Sequence, residues 1–264
     1  PYHFDRAVYD NRIYYGFGKA DPSVELVMGP NITDWPKMYP LTENLLVELA
    51  AVIHDPVTTT DELIPSGETS SYRSNPLRLA EFTLSRRVPE YVGHAKDIAA
   101  QEAERREGKL PEHLKAVLSA VGDAAALAGT TQFGSAVFAN KPGDGSAREQ
   151  AASCQRVLGG CANLCYEFAT KRYRSNCVNW GMLPFTLAEG TDFPGCPGDF
   201  LYVPQVREKV TRGDEEFPAL LLTDSGIHAL TLYLKNTTAE ERELLLTGCL
   251  MNHYAAQNAA ENRR

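Results

Sequence analysis

A strand, a glycine-rich loop and a helix follow one another between residues 132 and 158, and this unit constrains the fold more than any other stretch. Residues 132–139 are predicted to form a buried strand, because every residue after Gln132 is apolar or small. The string Asn140-Lys-Pro-Gly-Asp-Gly145 interrupts this run, and apolar residues at helical spacing begin near Arg148. Because strand and helix patterns also flank this unit, the sequence predicts a mixed α/β fold.

Hydrophobic periodicity predicts the other main elements. Strands are predicted at 45–53, 161–168, 200–203, 217–223 and 229–234. Helices are predicted at 90–106, from Pro111 through the apolar positions that end with Ala125, and at 170–180. Thr238 and Glu241 have the spacing of a capping box, which predicts a last helix that continues to about Asn258.

Charge and hydropathy exclude two classes of partner. The net charge is −8, and no run of Lys and Arg exceeds two residues, so the basic footprint of a nucleic-acid-binding protein is missing. The longest apolar stretches are far shorter than the ~18 residues of a membrane span. The first residues lack the pattern of a signal peptide, and the chain begins with Pro1 instead of Met. We therefore expect a cytoplasmic fragment of a longer protein whose partners are small molecules or proteins.

The cysteines do not form a recognisable ligand set. No Cys-x-x-Cys pair occurs, and the six cysteines are spread over about a hundred residues: Cys154, Cys161, Cys165, Cys177, Cys196 and Cys249. Neither a disulfide framework nor a zinc or iron–sulfur site is indicated by this spacing. We expect mostly buried, reduced thiols.

The loop Gly143-Asp-Gly-Ser-Ala-Arg-Glu149 is a candidate anion site. It follows a predicted strand and precedes a helix, where free backbone N–H groups and the helix dipole favour a negative charge. An equally good interpretation of the spacing alone is that Ser146 caps the helix and the glycines form the turn. A phosphate loop fits less well, because no Lys-Ser/Thr pair follows the glycines.

Four blocks in order carry a resemblance to a known family. They are Gly145-Ser-Ala-Arg-Glu-Gln-Ala151, Leu158-Gly-Gly-Cys-Ala-Asn163, Phe168-Ala-Thr-Lys-Arg-Tyr-Arg-Ser-Asn176 and Trp180-Gly-Met-Leu-Pro-Phe185. This order resembles the C-terminal swivel domain of the aconitase family, which has Gly-Ser-Ser-Arg-Glu-His-Ala, Leu-Gly-Gly, Phe-Ala-Arg-Ile-His-x-x-Asn and Gly-Leu-Leu-Pro-Leu. Upstream, Val57-Thr-Thr-Thr-Asp61 resembles the family's Cys-Thr-Thr-Asp-His turn, and Arg73 follows Asp61 by twelve residues, as the family's substrate-binding arginine does.

The resemblance covers about residues 50–256 and implies a fold and a domain division. It implies an α/β swivel domain, with a mixed β-sheet and flanking helices, over residues 41–264. Residues 1–40 are rich in Tyr, Asp, Gly and Pro without a regular period, and we expect an irregular N-terminal linker there.

The resemblance also implies an activity, namely the reversible dehydration and hydration of a hydroxy-polycarboxylic acid such as citrate or isocitrate. Ser146 matches the family's serine base, while Arg73 and Arg148 match arginines that hold substrate carboxylates. Asp61 matches a residue that orients a proton-donating histidine elsewhere in the enzyme. A [4Fe-4S] cluster takes the leaving hydroxyl in the family. We expect its ligands in the cluster-bearing domains that are missing here, and no cofactor bound by this chain alone.

Three positions depart from the family pattern. Ala147 replaces a second serine that contacts substrate, Glu62 replaces the histidine after Thr-Thr-Asp, and Gln150 replaces the histidine after Arg-Glu. Two alternatives to the aconitase-like hydro-lyase stay open. One is the small subunit of an isopropylmalate-isomerase-like hydratase, and the other is a catalytically silent domain that binds a carboxylate or assembles with a partner.

Overall fold

The structure is a computed structural model, and it describes residues 1–11 and 18–261. The chain forms two compact units, Pro1–Ile32 and Thr33–Arg264. Among its described residues, the first unit contains one short helix, α1 (Ala7–Asp10), and the described side chains are exposed or half-buried. No helix in the described ranges is both long enough and apolar enough to cross a membrane.

All the strands of the described residues belong to the second unit. They are β1 (Asn44–Ile53), β2 (Thr58–Thr59), β3 (Thr131–Ala139), β4 (Pro142–Asp144), β5 (Gly160–Cys165), β6 (Leu183–Thr186), β7 (Phe200–Val203), β8 (Glu216–Thr223) and β9 (Gly226–Tyr233).

The second unit also contains the remaining described helices. They are α2 (Thr60–Leu63), α3 (Pro76–Ala80), α4 (Tyr91–Arg106), α5 (Glu112–Val121), α6 (Ala124–Ala128), α7 (Arg148–Val157), α8 (Lys171–Asn179), α9 (Val206–Arg212), α10 (Ala239–Thr247) and α11 (Leu250–Glu261), with a 3₁₀ turn at Ser70–Tyr72.

Seven strands close into a barrel in the order β1-β3-β5-β6-β9-β8-β7. The first four strands are parallel to one another, and the last three complete the barrel through antiparallel pairings. Helices cover the parallel strands, as is usual for strands joined by βα units. The mixed sheet with flanking helices that the resemblance implies is confirmed.

Strand β1 separates two hydrophobic cores by the alternation of its side chains. Leu45, Val47 and Leu49 belong to the core that draws residues from all seven barrel strands. Leu46 and Ala50 face the other way, into the core between the sheet and the helices. The helix α7 packs in this second core through Ala151, Ala152 and Cys154, and it thereby fixes the position of the loop that precedes it.

Two helix predictions are corrected by the structure. The helix from Pro111 does not reach Ala125: it ends at Val121, and α6 begins after Asp123, whose carboxylate accepts hydrogen bonds from Ala125 N and Ala126 N. The last helix does not run unbroken to Asn258. It ends at Thr247, and Gly248, which has a φ of 95° and packs against the Tyr39 carbonyl, separates it from α11.

Candidate functional site

A small parallel pairing brings the two predicted motifs together. Strand β2 leads into the Thr-Thr-Asp turn, β4 leads into the glycine loop, and the two strands pair with Thr58 opposite Pro142 and Thr59 opposite Asp144. Beyond this pairing, Gly145 lies directly against Thr60, because a Cβ on Gly145 would lie 2.2 Å from Thr60 Oγ1. The starts of α2 and α7 therefore lie side by side, outside the barrel.

Gly143 lets the backbone of the glycine loop pack closely against α8. Its φ is 95°, and an added Cβ would lie 2.3 Å from the ring of the buried Tyr173. The first turn of α8 holds the same residue from another side, since Thr170 Oγ1 donates to the Gly143 carbonyl at 3.2 Å. The backbone at Gly143 consequently has room for glycine alone.

Tyr173 is itself locked in place by a closed triangle of buried side chains. Its hydroxyl donates to Asn163 Oδ1 and accepts from Gln155 Nε2, both at 2.9 Å, and Asn163 Nδ2 donates to Gln155 Oε1 at 3.0 Å. Burial raises the pKa of Tyr173 well above its ordinary value, so the phenol stays neutral. Because every member of this hydrogen-bond network has its partners, Tyr173 is a rigid support beneath the glycine loop.

Ser146 lies at the exposed top of the loop. Its hydroxyl has no hydrogen-bond partner among residues 1–11 and 18–261, and Ser146 is not the N-cap of α7. Ala147 occupies that position, with a φ of −83° and a ψ of 40°, and no described side chain caps the helix. The interpretation of Ser146 as a capping residue is therefore wrong. The first N–H groups of α7 also lack a side-chain acceptor.

Arg148 opens α7 and folds back over the loop. Its Nη1 donates to the carbonyl of Gly145, which keeps the guanidinium close to the backbone on which Ser146 stands. The next residue, Glu149, faces away and accepts a hydrogen bond from Trp180 Nε1 at 3.0 Å. The cation and the helix dipole therefore both contribute positive potential near Ser146.

Arg73 lies across a small cleft from the loop. The cleft has a volume of about 20 Å³, and Arg73 and Ala147 both line it. Its other lining residues are Ile64, Ser66, Thr69, Leu79 and Gln150. Arg73 is exposed and makes no hydrogen bond to any described residue. The structure thus brings together Arg73, Ala147 and Gln150, three positions that the sequence had singled out, in a space that holds about one water molecule.

The carboxylate of Asp61 is already engaged. It accepts hydrogen bonds from the backbone and hydroxyl of Ser66 at 3.1 and 3.3 Å, and it forms an ion pair with Arg86 at 3.1 Å. Both members of the ion pair are about half exposed, so the pair contributes little to stability. Sequence reasoning did not find Arg86, which no local pattern connects to Asp61.

Glu62, which departs from the family pattern, has a structural role. Its carboxylate accepts from Thr59 N at 2.7 Å and from Thr59 Oγ1 at 2.8 Å, while Thr59 Oγ1 accepts from Glu62 N. This is a capping box, and the Thr-x-x-Glu spacing that predicts one was present in the sequence. The box fixes the start of α2 against the glycine loop.

The cysteines do not fit an iron–sulfur cluster. Five of them are buried, and Cys196 alone of the six is exposed. Burial raises the pKa of Cys154 and of Cys177 to about 12, which opposes the thiolate form that binds metal. In the part of the chain that the structure describes, no three His, Cys, Asp or Glu side chains are placed to share a metal ion.

Comparisons with known proteins find an enzyme that is similar to part of this chain. No family model matches the chain. Over 129 residues the chain is 32% identical to aconitate hydratase A of Bradyrhizobium diazoefficiens, an alignment that covers 45% of the chain and 13% of that relative. A crystal structure of 3-isopropylmalate dehydratase from Methanocaldococcus jannaschii matches with a TM-score of 0.49 and 18% identity, over 83% of this chain and 98% of that one. The alignment with aconitate hydratase A confirms the resemblance to the aconitase family, and the chain spans only 13% of that relative.

Proposed function

We propose that this chain, which resembles the aconitase family, is the swivel domain of an aconitase-like hydro-lyase that dehydrates and rehydrates a hydroxy-polycarboxylic acid. The observation that carries the proposal is the contact between the glycine loop and the Thr-Thr-Asp turn. An exposed serine hydroxyl without a partner among the described residues stands beside Arg148, at the uncapped start of α7, against the Thr-Thr-Asp turn. The identity to aconitate hydratase A supports it.

In this proposal Ser146 takes the proton from the carbon next to a substrate carboxylate. A serine hydroxyl is a weak base in water, so the site must stabilise its alkoxide. The positive end of α7 and the Arg148 guanidinium are suitable sources of potential, because both are fixed before substrate arrives. The exposure of Ser146 leaves its Oγ free to meet a substrate.

Arg73 and Arg148 bind substrate carboxylates in this proposal. A guanidinium can form two parallel hydrogen bonds to a carboxylate, which fixes orientation as well as charge. The cleft between Arg73 and Ala147 is far too small for a citrate-sized molecule. The substrate therefore lies over the loop and not inside this chain, and another domain must cover it.

The remaining chemistry is assigned to other parts of the enzyme. The described cysteines provide no cluster site, so we propose that the cluster and the departure of the hydroxyl belong to partner domains. Asp61 is placed at the same loop pair, and we propose that it orients the proton donor of such a domain. For this its carboxylate must accept a further hydrogen bond besides those from Ser66 and Arg86.

We expect the isolated chain to hold no iron and to show no hydratase activity. The physical reason is that its cysteines are buried and dispersed, whereas a [4Fe-4S] cluster needs converging thiolates. The measurement is iron analysis and visible absorbance after incubation with iron and sulfide, followed by an assay with citrate and isocitrate. A bound cluster or turnover without a partner domain would contradict the proposal that the cluster belongs to other domains.

The two arginines should respond differently to replacement by lysine in the complete enzyme. Arg73→Lys keeps the charge but loses the planar fork, so we expect KM to rise by roughly tenfold with kcat little changed. Arg148→Lys moves the charge away from the loop, so we expect kcat to fall by ~10²-fold as well. Steady-state kinetics with a panel of tri- and dicarboxylic acids measures both effects.

Arg172→Lys is a matched control, since Arg172 is exposed on α8 and does not line the cleft. It should leave both kinetic constants unchanged. The silent-domain alternative makes a different prediction, namely that kcat/KM is unaltered in Arg73→Lys and Arg148→Lys alike. That result would remove the loop from the active site.

A further inference from the structure

A cavity of about 360 Å³ lies at the other end of α7 from the glycine loop. Its walls are formed by the segment 36–39, by α4, by the start of β3 and by the last residues of α7. Part of the lining is apolar and consists of Met38, Phe133, Val157 and smaller side chains. The volume falls in the range of sites that bind small molecules, which is roughly 300–1,000 Å³.

Positive charge exceeds negative charge beside this cavity. Glu102 is buried and accepts from Arg105 Nε at 2.6 Å, from Arg105 Nη2 at 2.8 Å and from the backbone of Phe133 at 2.9 Å, and it pairs with Arg106 Nε at 2.8 Å. One carboxylate is therefore shared by two guanidinium groups. The other acidic residue of the lining, Glu107, is exposed and pairs with Lys109 at 3.0 Å.

Arg156 adds a third guanidinium, which is buried and has no counter-ion among the described residues. It is 8% exposed, and its Nη atoms donate to the neutral carbonyls of Gly160, Tyr39 and Gly248 at 3.1–3.3 Å. Its Nε has no hydrogen-bond partner in the described part of the chain, and no described carboxylate forms an ion pair with it. A buried charge that lacks an opposite charge is strongly unfavourable, so this cavity wall favours an anion.

We propose that this cavity binds a small organic anion with an apolar body, of the aryl- or branched-alkyl-carboxylate class. The carboxylate group balances the charge of Arg156, and the apolar body packs against Met38, Phe133 and Val157. Inorganic phosphate would satisfy the charge alone, and a neutral hydrocarbon would satisfy the apolar walls alone. The site is distinct from the proposed active site, because Arg148 and Arg156 are eight residues apart on α7, about 12 Å along the helix.

Calorimetric titration of the full chain tests the chemistry of the ligand. The probes are 3-phenylpropanoate, 4-methylpentanoate, the neutral isostere 3-phenylpropanamide, and inorganic phosphate. We expect at least one of the two carboxylates to bind at one site, with the amide and phosphate at least tenfold weaker. Equal binding of the amide, or no saturable binding of either carboxylate, would overturn the proposal. Arg156 would then have only the structural role of donating hydrogen bonds to backbone carbonyls.

Two tryptophan substitutions on α4 test the location. Ala103 is exposed and lines the cavity, whereas Ala100 is exposed on the same helix and does not line it. We expect Ala103→Trp to weaken carboxylate binding at least tenfold by filling the entrance, and Ala100→Trp to leave it unchanged. Undiminished binding by a folded Ala103→Trp chain would place the ligand elsewhere and overturn the assignment.

Arg156→Met tests the role of the charge. The substitution also removes three hydrogen bonds to backbone carbonyls, so the thermal unfolding of the variant is measured first. If Arg156→Met does not fold, the comparison of Ala103→Trp with Ala100→Trp decides. A folded Arg156→Met chain should lose the preference for the carboxylate over the amide. Retention of that preference would overturn the role of Arg156. None of these results depends on hydratase activity, so the cavity and the proposed function can fail separately.

Discussion

Replacement of Ser146 by alanine should lower kcat of the complete enzyme by ~10²–10⁴-fold, the usual effect of removing a positioned acid–base group. The same substitution should change the free energy of unfolding by no more than about 0.5 kcal/mol, as for other exposed surface positions. The reason is that Ala147 and not Ser146 is the N-cap of α7, and that the hydroxyl makes no hydrogen bond to any described residue. Steady-state kinetics and thermal unfolding of one variant provide both numbers.

Ser119→Ala is the matched control. Ser119 is an exposed serine on α5, and its hydroxyl donates only to the carbonyl of Lys115 in the same helix. Its loss should leave kcat unchanged. If Ser146→Ala retains near-normal turnover while Ser119→Ala does too, Ser146 is not the base, and the silent-domain alternative gains support. A large loss of stability in Ser146→Ala would instead mean that the hydroxyl has a structural role.

A large effect on stability is expected at Gly143. Gly143→Ala combines a left-handed backbone, which costs about 1–2 kcal/mol for a residue with a Cβ, with overpacking that costs a further ~1–3 kcal/mol. The added Cβ would meet three side-chain atoms of Tyr173 within 2.5 Å, and that side chain cannot move without breaking its bonds to Asn163 and Gln155. We expect the midpoint of thermal unfolding to fall by roughly 5–15 °C.

Gly190→Ala separates the two contributions. Gly190 also has a positive φ, 80°, but nothing lies within 4 Å of an added Cβ. The strain of the backbone is then the sole cost, and the expected destabilisation is about 1–2 kcal/mol. Equal melting temperatures for the two variants would show that the Tyr173 side chain moves to accommodate the added methyl group. The rigid support inferred for the Ser146 loop would then be lost.

The unit from β3 to α7 could be predicted because its signals are local. Apolar residues at strand spacing, glycines in the turn and a helical period follow one another directly, and the structure has these elements at Thr131–Ala139 and Arg148–Val157. The cap of α7 could not be predicted in the same way. Serine is favoured at N-caps, but the contact of Gly145 with Thr60, which is distant in sequence, fixes how the chain enters this helix.

Other parts of the fold have weak or misleading local signals. Strand β6 was not predicted, because it has four residues and contains Pro184, which argues against a strand with neighbours on both sides. The cleft that joins Arg73 to Ala147 depends on packing between separate elements, and only the resemblance to a family placed both residues in one site. The partners of Asp61 and the uncompensated charge of Arg156 likewise have no pattern in the sequence.

The closed barrel has a consequence for how the chain is made. Leu45 in β1 pairs with Val203 in β7, 158 residues later, so one edge of β1 has no partner until β7 has left the ribosome. Synthesis of that stretch takes ~8–30 s at ~5–20 residues per second, which is long compared with the formation of local helices. During this interval the nascent chain exposes an apolar edge that can pair with other chains. Its yield in cells should therefore depend on chaperones that hold it until the barrel closes.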